Sequence, residues 1–429
     1  MAKIRPFRAW RYNLQDGSVI EEYTSPLFDV ASERQIETLR QNKLNSIHLT
    51  LPSGPNPSQR AKDTLARWKQ DKVIIQDAEP AIYVYYQYFN LHNENKIHCR
   101  KGIIAMVKYP NDEDAAVDQI LIHESTIKEA VESRKELLME TEICTSPTHG
   151  LYNDPTNELE SLMDKSMNTP LYDVTDYQGV RDVISVIKDD DGIKKIVALI
   201  AKKQIALADG HHRYQAGLDY RNEQESPSGA CNYHLMYLTN SHADDFRILA
   251  THRLIHKIVI SEAEFITRAR AYFDIIDNVN PYDANDVILG KKWTFGAIFK
   301  DNAYQLSLKK EMTKNFNSEI HEAVRSLDVV IAHTFIIEKI LALPVPSRLT
   351  TEEVSFESNF SECLAMVDHE KAKMAIILNE ISPEEVFKVG EKGAIMPQKT
   401  TFFHPKVVGG YLFGTIKDDE FDPAIYSGF

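Results

Sequence analysis

The chain has little cysteine, no long apolar run and a deficit of positive charge. The four cysteines among its 429 residues have no paired spacing, which argues against a zinc cage and a disulfide framework. They are Cys99, Cys144, Cys231 and Cys363. No run of about 18 apolar residues occurs, and residues 1–13 contain no apolar signal core. We therefore expect a cytoplasmic protein with reduced thiols and no membrane partner.

The charge balance limits the partners that the protein can bind. The chain has 63 acidic and 49 basic residues, which gives a net charge of −14 at pH 7. A negative overall field disfavours nucleic acid, whereas a local basic pocket can still hold a nucleotide. We expect no nucleic-acid partner, and the composition leaves an oligomer open.

Length and pattern together predict more than one hydrophobic core. A chain of 429 residues exceeds the ordinary size of one core. We divide it into residues 1–125, an N-terminal α/β segment with a β-hairpin, residues 126–255, a central segment, and residues 256–429, a C-terminal α+β segment that closes on the site. Strand and helix patterns alternate irregularly, so an α+β fold of mixed sheets and surrounding helices is favoured.

Apolar periodicity and turn signals predict the individual elements. The predicted strands are residues 81–89, 101–109, 205–208, 233–239, 246–251, 293–299, 304–308 and 374–378. The predicted helices are residues 32–44, 58–72, 126–142, 179–187, 192–203 and 327–343, with further helices starting near residues 214, 261 and 382. The tyrosine run at residues 83–88 is typical of strand packing, and a base-stacking platform is the less favoured alternative.

The densest group of reactive side chains is the DGHHR segment, residues 209–213, between the apolar strand at residues 205–208 and a helix start. Unpaired N–H groups and the positive end of a helix dipole attract anions, and Arg213 suits bidentate binding of a phosphate or carboxylate. The structural alternative is that Asp209 caps the helix, Gly210 makes a turn and the histidines lie at the surface. A cap needs one polar residue and this junction has four, which favours a binding site.

Two further clusters carry suitable chemistry. His123 and Glu124 follow an apolar strand and offer a general base and a metal or phosphate ligand, the alternative being a capped surface helix. Residues 396–406 contain two prolines, adjacent hydroxyls and the donors Lys399 and Lys406, which suit oxyanions, although ordinary loops use the same residue types. Asp29 is a weaker candidate. Residues 251–253, Thr-His-Arg, are weaker still, and we interpret them as a solvated strand end.

Metal ligands are present but not in a pattern that predicts a metal site. Adjacent side chains in a helix point about 100° apart, so His211 and His212 rarely bind one ion together. A Mg²⁺ ion that accompanies phosphates is favoured over a dedicated cage.

The chain resembles an uncharacterised family of bacterial and archaeal proteins, labelled as a domain of unknown function, whose signature is a mid-chain ADGHHRY segment. Further blocks in the family's order are residues 1–7, 25–30, 79–85, 123–126, 326–329 and 396–406, so the resemblance covers nearly the whole chain. Family members usually have Tyr at Phe28, Lys-Ser-Thr at residues 399–401 and Asp at Ser133. Arg134 therefore carries over less directly than His123.

The DGHHR segment is also similar to the motif of the ParB and sulfiredoxin-like superfamily, which includes free-serine kinases. This resemblance implies a ParB/sulfiredoxin-like core elaborated by N- and C-terminal segments. It also implies that the strand, turn and helix start bind nucleotide phosphates while a nearby acid activates a hydroxyl.

We therefore predict a phosphate-handling enzyme, a nucleotide-dependent, kinase-like phosphotransferase that acts on a small hydroxyl metabolite such as serine or phosphoserine. Its cofactor would be ATP or ADP with Mg²⁺, and its partner a phosphorylated metabolite or nucleotide. The alternatives are a non-catalytic nucleotide-binding regulatory protein and a phosphoserine hydrolase. The predicted catalytic residues are Asp209, His212, Glu124 and His123. The predicted phosphate-binding or nucleotide-binding residues are Gly210, His211, Arg213, Lys399, Thr400 and Thr401.

Overall fold

A computed structural model describes most of the chain: residues 2–14, 19–28, 31–91, 95–110, 120–224, 229–315, 319–343, 352–397 and 399–421. The candidate Asp29 lies outside these residues. The chain forms two compact units. Unit 1 comprises Met1–Leu121, Thr126–Phe246 and Pro405–Phe429, and unit 2 comprises Ile122–Ser125 and Arg247–His404. Each unit therefore combines distant parts of the chain, and the division at residues 125 and 255 stays a prediction.

The strands of the described residues are two to twelve residues long. They are β1 (Ile4–Arg5), β2 (Trp10–Tyr12), β3 (Ile74–Gln76), β4 (Ile82–Asn90), β5 (Ile97–Lys108), β6 (Ile143–Cys144), β7 (Thr148–Tyr152), β8 (Tyr172–Thr175), β9 (Arg181–Ile187), β10 (Ile205–Asp209), β11 (Tyr233–Asn240), β12 (Arg247–Leu249), β13 (His252–Ile255), β14 (Phe273–Val279), β15 (Thr294–Ile298), β16 (Ala303–Leu308), β17 (Val354–Glu357), β18 (Met374–Ile377), β19 (Phe402–His404) and β20 (Gly414–Thr415).

Helices complete the α+β architecture. They are α1 (Glu33–Gln41), α2 (Ile47–Thr50), α3 (Pro57–Gln70), α4 (Lys128–Thr141), α5 (Glu160–Ser166), α6 (Asp190–Ile200), α7 (His211–Asn222), α8 (Glu262–Ala269), α9 (Glu322–Arg325), α10 (Asp328–Ile331), α11 (Phe360–Asp368), α12 (Pro383–Glu391) and α13 (Asp418–Phe421). Short 3₁₀ turns occur at Ile20–Glu22, Gly229–Asn232, Pro281–Asp283, Asp286–Ile288 and Lys310–Asn315, and a π-helical stretch, Ala332–Ile340, follows α10.

Unit 1 is built around an eight-stranded sheet with the order β10-β7-β11-β5-β4-β9-β8, and β1 pairs with β5 beside it. β4 and β5 form the predicted hairpin, with Tyr83 opposite Ile104. β7 runs parallel to β11, and β10 runs antiparallel to β7. β10 ends the strand order, and Ala206 on its other side bridges to Leu121. The strand that leads into the DGHHR segment is therefore held on both sides.

The tyrosine run of β4 packs inside unit 1. Tyr83, Tyr85 and Tyr86 are no more than 2% exposed, which confirms the packing interpretation for these residues. They are covered by aromatic neighbours, including Phe7 at 5.0 Å from Tyr83 between ring centroids. Such rings have no face available for stacking on a base.

Unit 2 is organised by a six-stranded antiparallel sheet with the order β14-β16-β15-β18-β13-β17. The predicted hairpin of β15 and β16 is present, with Phe295 opposite Leu306. Ser382 caps α12 in a full capping box with Glu385, as its sequence position predicts. The predicted helix at residues 327–343 is α10 together with the π-helical stretch.

The predicted helix at residues 179–187 is wrong, because Arg181–Ile187 is strand β9. β9 pairs with β4 on one side and β8 on the other, and most of its side chains are buried. A short apolar run that is buried on both faces shows no two-residue alternation, so its period does not distinguish a strand from a buried helix. Gly179, at φ +78°, makes the turn that precedes it.

Candidate functional site

The DGHHR segment forms the junction between β10 and α7. Asp209 ends β10, Gly210 takes the left-handed conformation at φ +89°, and α7 begins at His211. A Cβ atom on Gly210 would lie 2.6 Å from the Thr148 Cγ2 atom and 2.8 Å from a terminal nitrogen of Arg213. The turn therefore requires glycine both for its backbone angle and for the close approach of these two side chains.

Asp209 forms an ion pair and hydrogen bond with the Lys406 Nζ atom. The two side chains are 16% and 13% exposed. Burial by itself would raise the pKa of Asp209, but Lys406 and then the nearby charge of Arg213 outweigh it and hold that pKa well below its usual range. Gly210 and not Asp209 stands at the N-cap of α7, so the capping interpretation of Asp209 is wrong.

Arg213 anchors the start of α7 to the turn before β7. Its Nη1 atom donates to the Ser146 Oγ atom at 2.8 Å, to the Ser146 carbonyl at 3.3 Å and to the Pro147 carbonyl at 2.8 Å. Arg213 also lines a small cavity of about 50 Å³ that we call the unit 1 cavity. Its described lining residues are Phe28, Thr50, Arg134, Leu137, Leu138, Ile143, Cys144, Thr145, Ser146, Arg213 and His234.

A second guanidinium reaches the unit 1 cavity from α4. Arg134 donates from Nη1 to the Thr50 carbonyl at 2.7 Å and lies 4.6 Å from the ring centroid of Phe28. No carboxylate is among the described residues that line the cavity, so its two formal side-chain charges are both positive at neutral pH. His234 adds none, because burial first, and then the charge of Arg213, lower its pKa to about 3.

The two histidines of the DGHHR segment have different surroundings. His211 is buried, at 6% exposure. The Nε2 atom of His212 accepts a hydrogen bond from the Ile127 backbone N–H at 3.0 Å. An acceptor nitrogen carries no proton, so the imidazole is neutral in this arrangement. The predicted catalytic role of His212 stays a prediction, and any step in which its Nε2 atom gains a proton would require this bond to open.

The other predicted residues lie in unit 2. His123 is buried, its carbonyl accepts from the Met396 N–H at 2.8 Å, and its Nε2 atom lies 3.5 Å from the Thr401 Oγ1 atom. Glu124 forms an isolated parallel bridge with Met396. The structure thus brings the predicted His123 cluster against the predicted 399–401 cluster, two segments far apart in the chain. Within those clusters, Thr400 donates from Oγ1 to the Pro397 carbonyl at 2.6 Å.

The predicted residues therefore divide evenly between the units, and their roles stay predictions. Unit 1 contains Asp209, Gly210, His211, His212 and Arg213, and unit 2 contains His123, Glu124, Lys399, Thr400 and Thr401. Lys406 is a predicted oxyanion donor, but its pairing with Asp209 is not predicted from the sequence. No local pattern connects residues that lie 197 positions apart.

The interpretation of residues 251–253 as solvated is wrong. Thr251, His252 and Arg253 are 7%, 2% and 0% exposed. His252 accepts the Leu378 N–H at 3.2 Å, and burial, followed by the charge of Arg253, lowers its pKa to about 4. His252 and Arg253 start β13, an interior strand of the unit 2 sheet, and Thr251 directly precedes it. A sequence window does not reveal that both sides of this strand are covered.

No group of three or more histidine, cysteine, aspartate or glutamate side chains is arranged to hold a metal ion in the described ranges. None of the helices formed by those residues is long and apolar enough to span a membrane.

Residues 4–330 match the model of a family described as "Protein of unknown function (DUF1015)". The predicted family block at residues 396–406 lies beyond the matched range. A search of curated proteins found no match.

Solved structures show weak likeness to the chain. A free serine kinase variant in complex with AMP is 12% identical, with a TM-score of 0.37 over 78% of this chain and 97% of that one. A conserved hypothetical protein from Pyrococcus furiosus is 12% identical, with a TM-score of 0.33 over 70% and 93% of the two chains. SbnI with a C-terminal truncation, from Staphylococcus aureus, is 11% identical, with a TM-score of 0.35 over 71% and 85%. Likenesses of this size assign no function to the chain.

Proposed function

The chain belongs to the DUF1015 family, and from that premise we propose that it is a phosphate-handling enzyme, a nucleotide-dependent phosphotransferase that acts on a small hydroxyl metabolite such as serine. The observation that carries the proposal is the unit 1 cavity, which Arg213 and Arg134 both line, with no carboxylate among its described lining residues. A ParB/sulfiredoxin-like core is part of the same proposal.

The chemistry of the unit 1 cavity suits a phosphate group. Guanidinium groups bind phosphate oxygens through paired N–H donors and stay charged at any physiological pH. The Ser146 and Thr145 hydroxyls beside them add donors that a phosphate oxygen can use. The apolar wall, which includes Leu137 and Ile143, lowers the local dielectric constant. It thereby strengthens the attraction between the two guanidinium groups and an anion.

The size of the unit 1 cavity also fits. Roughly 10–15 Å³ of such volume holds one water-sized atom. A cavity of about 50 Å³ therefore accepts a group of about four such atoms, which is the number of oxygens in a phosphate group. The rest of a nucleotide or metabolite would lie outside this pocket.

We propose that Asp209 acts as a positioning residue and not as the general base. A carboxylate whose pKa is held well below its usual range is a weak proton acceptor near neutral pH. Its ion pair fixes Lys406 next to the β10–α7 junction. The proposed catalytic roles of His212, His123 and Glu124, and the phosphate contacts of Lys399, Thr400 and Thr401, rest on the sequence motifs.

The proposal involves no dedicated metal cage. Asp209 is already paired with Lys406, and the described residues contain no cluster of metal-ligating side chains. Mg²⁺ would arrive with the nucleotide phosphates, and none of the residue roles proposed here depends on it.

Direct binding measurements test the phosphate site. Inorganic phosphate, phosphoserine, AMP and ADP are suitable probes, with the last two chosen because the similar kinase structures hold them. We expect Arg134→Met to weaken phosphate-dependent binding by about 10-fold to 100-fold, since a hydrogen bond to a charged group contributes about 1.5–3 kcal/mol. Arg181→Met is the matched control, because Arg181 is 55% exposed and pairs with Asp173. Equal binding by the parent and the Arg134 variant would overturn the proposal.

Turnover assays separate the proposed kinase from its two alternatives. A phosphotransferase should form phosphoserine from serine only when ATP or ADP is present or, in reverse, consume phosphoserine only with a nucleotide acceptor. A phosphoserine hydrolase would release phosphate at a rate that ADP leaves unchanged. Binding of a nucleotide without any turnover would instead favour a regulatory protein.

A further inference from the structure

Unit 2 contains a larger cavity, which we call the unit 2 cavity. Its volume is about 380 Å³, within the range of small-molecule sites. Residues from β13 and its flank, from the start of α10 and from the segment before α12 line it. Most of these residues have no predicted binding or catalytic role. Thr400 is the exception, since it is a predicted phosphate-binding residue.

We propose that the unit 2 cavity binds a small metabolite with one anionic group, either a carboxylate or a phosphate ester. The proposal is independent of the unit 1 cavity and would stand if no phosphate bound there.

Arg253, in the wall of the unit 2 cavity, is a buried cation without a carboxylate partner among the described residues. Its side chain is completely buried, yet no carboxylate among the described residues lies within ion-pair distance of it. Its described acceptors are neutral. Nε donates to the His333 Nε2 atom at 3.1 Å, Nη1 to the Thr251 carbonyl, and Nη2 to the Lys399 carbonyl at 3.4 Å. Burial lowers the pKa of Arg253 to about 9. A charge buried without a counter-ion favours an anion in the adjoining space.

His333, which accepts the hydrogen bond from Arg253 Nε, does not balance the charge of the guanidinium. Burial, followed by the charge of Arg253, lowers the pKa of His333 to about 3, so the ring is uncharged at physiological pH. The His333 ring therefore accepts a hydrogen bond but supplies no negative charge to the guanidinium. The Thr251 Oγ1 atom is also buried, and it has no hydrogen-bond partner in the described part of the chain. The cavity wall thus contains a guanidinium without a counter-ion and a hydroxyl without a hydrogen-bond partner among the described residues.

Two exposed lysines line the same cavity. Lys291 and Lys292 have no ion-pair partner among the described residues. Lys292 lies 5.1 Å from the ring centroid of Trp293, which holds the ammonium without neutralising it. An entering anion would therefore meet positive charge on exposed side chains as well as in the buried wall.

The carboxylates of the cavity limit the charge of the ligand. Asp328 accepts the Trp293 N–H at 3.0 Å and Glu385 accepts the Ser382 N–H at 3.1 Å, so backbone groups of unit 2 engage both of them. Glu380 is exposed. The three carboxylates offset the three cations of the lining, so the cavity can balance one anionic group beside Arg253 but not several such groups on one ligand.

The test uses the full chain, with lactate and glycerol 3-phosphate as the carboxylate and phosphate probes, each of which has one anionic group. Binding is measured by isothermal titration against a sodium chloride control at equal ionic strength. Lys291→Gln/Lys292→Gln removes two exposed charges, and we expect it to weaken probe binding by about fivefold to 30-fold, since two such charges together contribute about 1–2 kcal/mol. Lys373→Gln/Lys388→Gln is the matched control, because both lysines are exposed residues of unit 2 outside the cavity lining.

The outcomes are distinct. Binding of one probe that is lost in the Lys291/Lys292 variant and kept in the Lys373/Lys388 variant supports the proposal and identifies the anionic group. No binding of either probe by the parent overturns it. Equal loss in both double variants also overturns it, because it would reflect the net charge of the chain and not this cavity. A variant with lost binding here and unchanged phosphate binding at the unit 1 cavity keeps the two proposals separate.

Discussion

Substitution of Lys406 by methionine should destabilise unit 1 strongly, because it removes the positive partner of Asp209 and keeps the aliphatic stem. Both side chains are less than one-fifth exposed, so water would screen the remaining carboxylate only in part. Breaking a buried pair costs about 3–5 kcal/mol, and the partial exposure reduces this to about 2–4 kcal/mol in the free energy of unfolding.

The double variant Asp209→Asn/Lys406→Met isolates the interaction. Because the amide carries no charge, we expect the double variant to be more stable than the sum of the single changes predicts, by about 1–3 kcal/mol. Urea unfolding monitored by tryptophan fluorescence measures this. The background change Trp293→Phe removes the tryptophan of unit 2, so Trp10 and Trp68 report on unit 1.

Acid should reduce the difference between the parent and Lys406→Met. In the parent the folded pKa of Asp209 is lowered, so its contribution is present above the ordinary value of 3.8 and is lost as pH falls through the lower folded pKa. In the variant, burial acts without Lys406 and raises that pKa, so the variant gains stability as pH falls. A difference in unfolding free energy that is near zero at pH 7, or the same at pH 7 and pH 4, would refute this reasoning.

Three further predictions concern Asp182, Thr251 and Gly210. Burial first, then Asp176, raises the pKa of Asp182 to about 7, so its stabilising protonated form is lost as pH rises through 7. The free energy of unfolding should therefore fall by about 2–3 kcal/mol between pH 5 and pH 8. This fall should be absent in the Asp182→Asn variant. Thr251→Val should raise the free energy of unfolding by about 1 kcal/mol, since it removes a buried hydroxyl that has no hydrogen-bond partner among the described residues. A lower stability of the variant in urea unfolding would contradict this. Gly210→Ala should lower the melting temperature more than Gly179→Ala, because both glycines have positive φ but only Gly210 has a neighbour within 3 Å of its added Cβ.

Local signals predicted much of the fold correctly. Ser32, Ser261 and Ser382 each accept a backbone N–H three residues ahead, as helix-capping residues should. The hairpins of β4 with β5 and β15 with β16 follow from alternating β-branched and aromatic residues beside turn signals. In each case the interactions that decide the structure lie within a few residues along the chain.

Local sequence patterns do not predict interactions between residues that lie far apart in the chain. The ion pair of Asp209 depends on a residue from the last part of unit 1, and the burial of Arg253 depends on strands β17 and β18 beside β13. β7 was not predicted at all, although its Thr148 and His149 lie against the DGHHR junction. A five-residue strand that contains glycine and histidine has no strong apolar pattern.

The composition of unit 1 from separated chain segments has a consequence for synthesis on the ribosome. Asp209 is translated 197 positions before Lys406, and most of unit 2 lies between them. At about 5–20 residues per second, roughly 10–40 s pass before the lysine is made. During that interval the nascent chain has no Lys406 to balance the aspartate, so the β10–α7 junction can reach its final form only after Lys406 has been made.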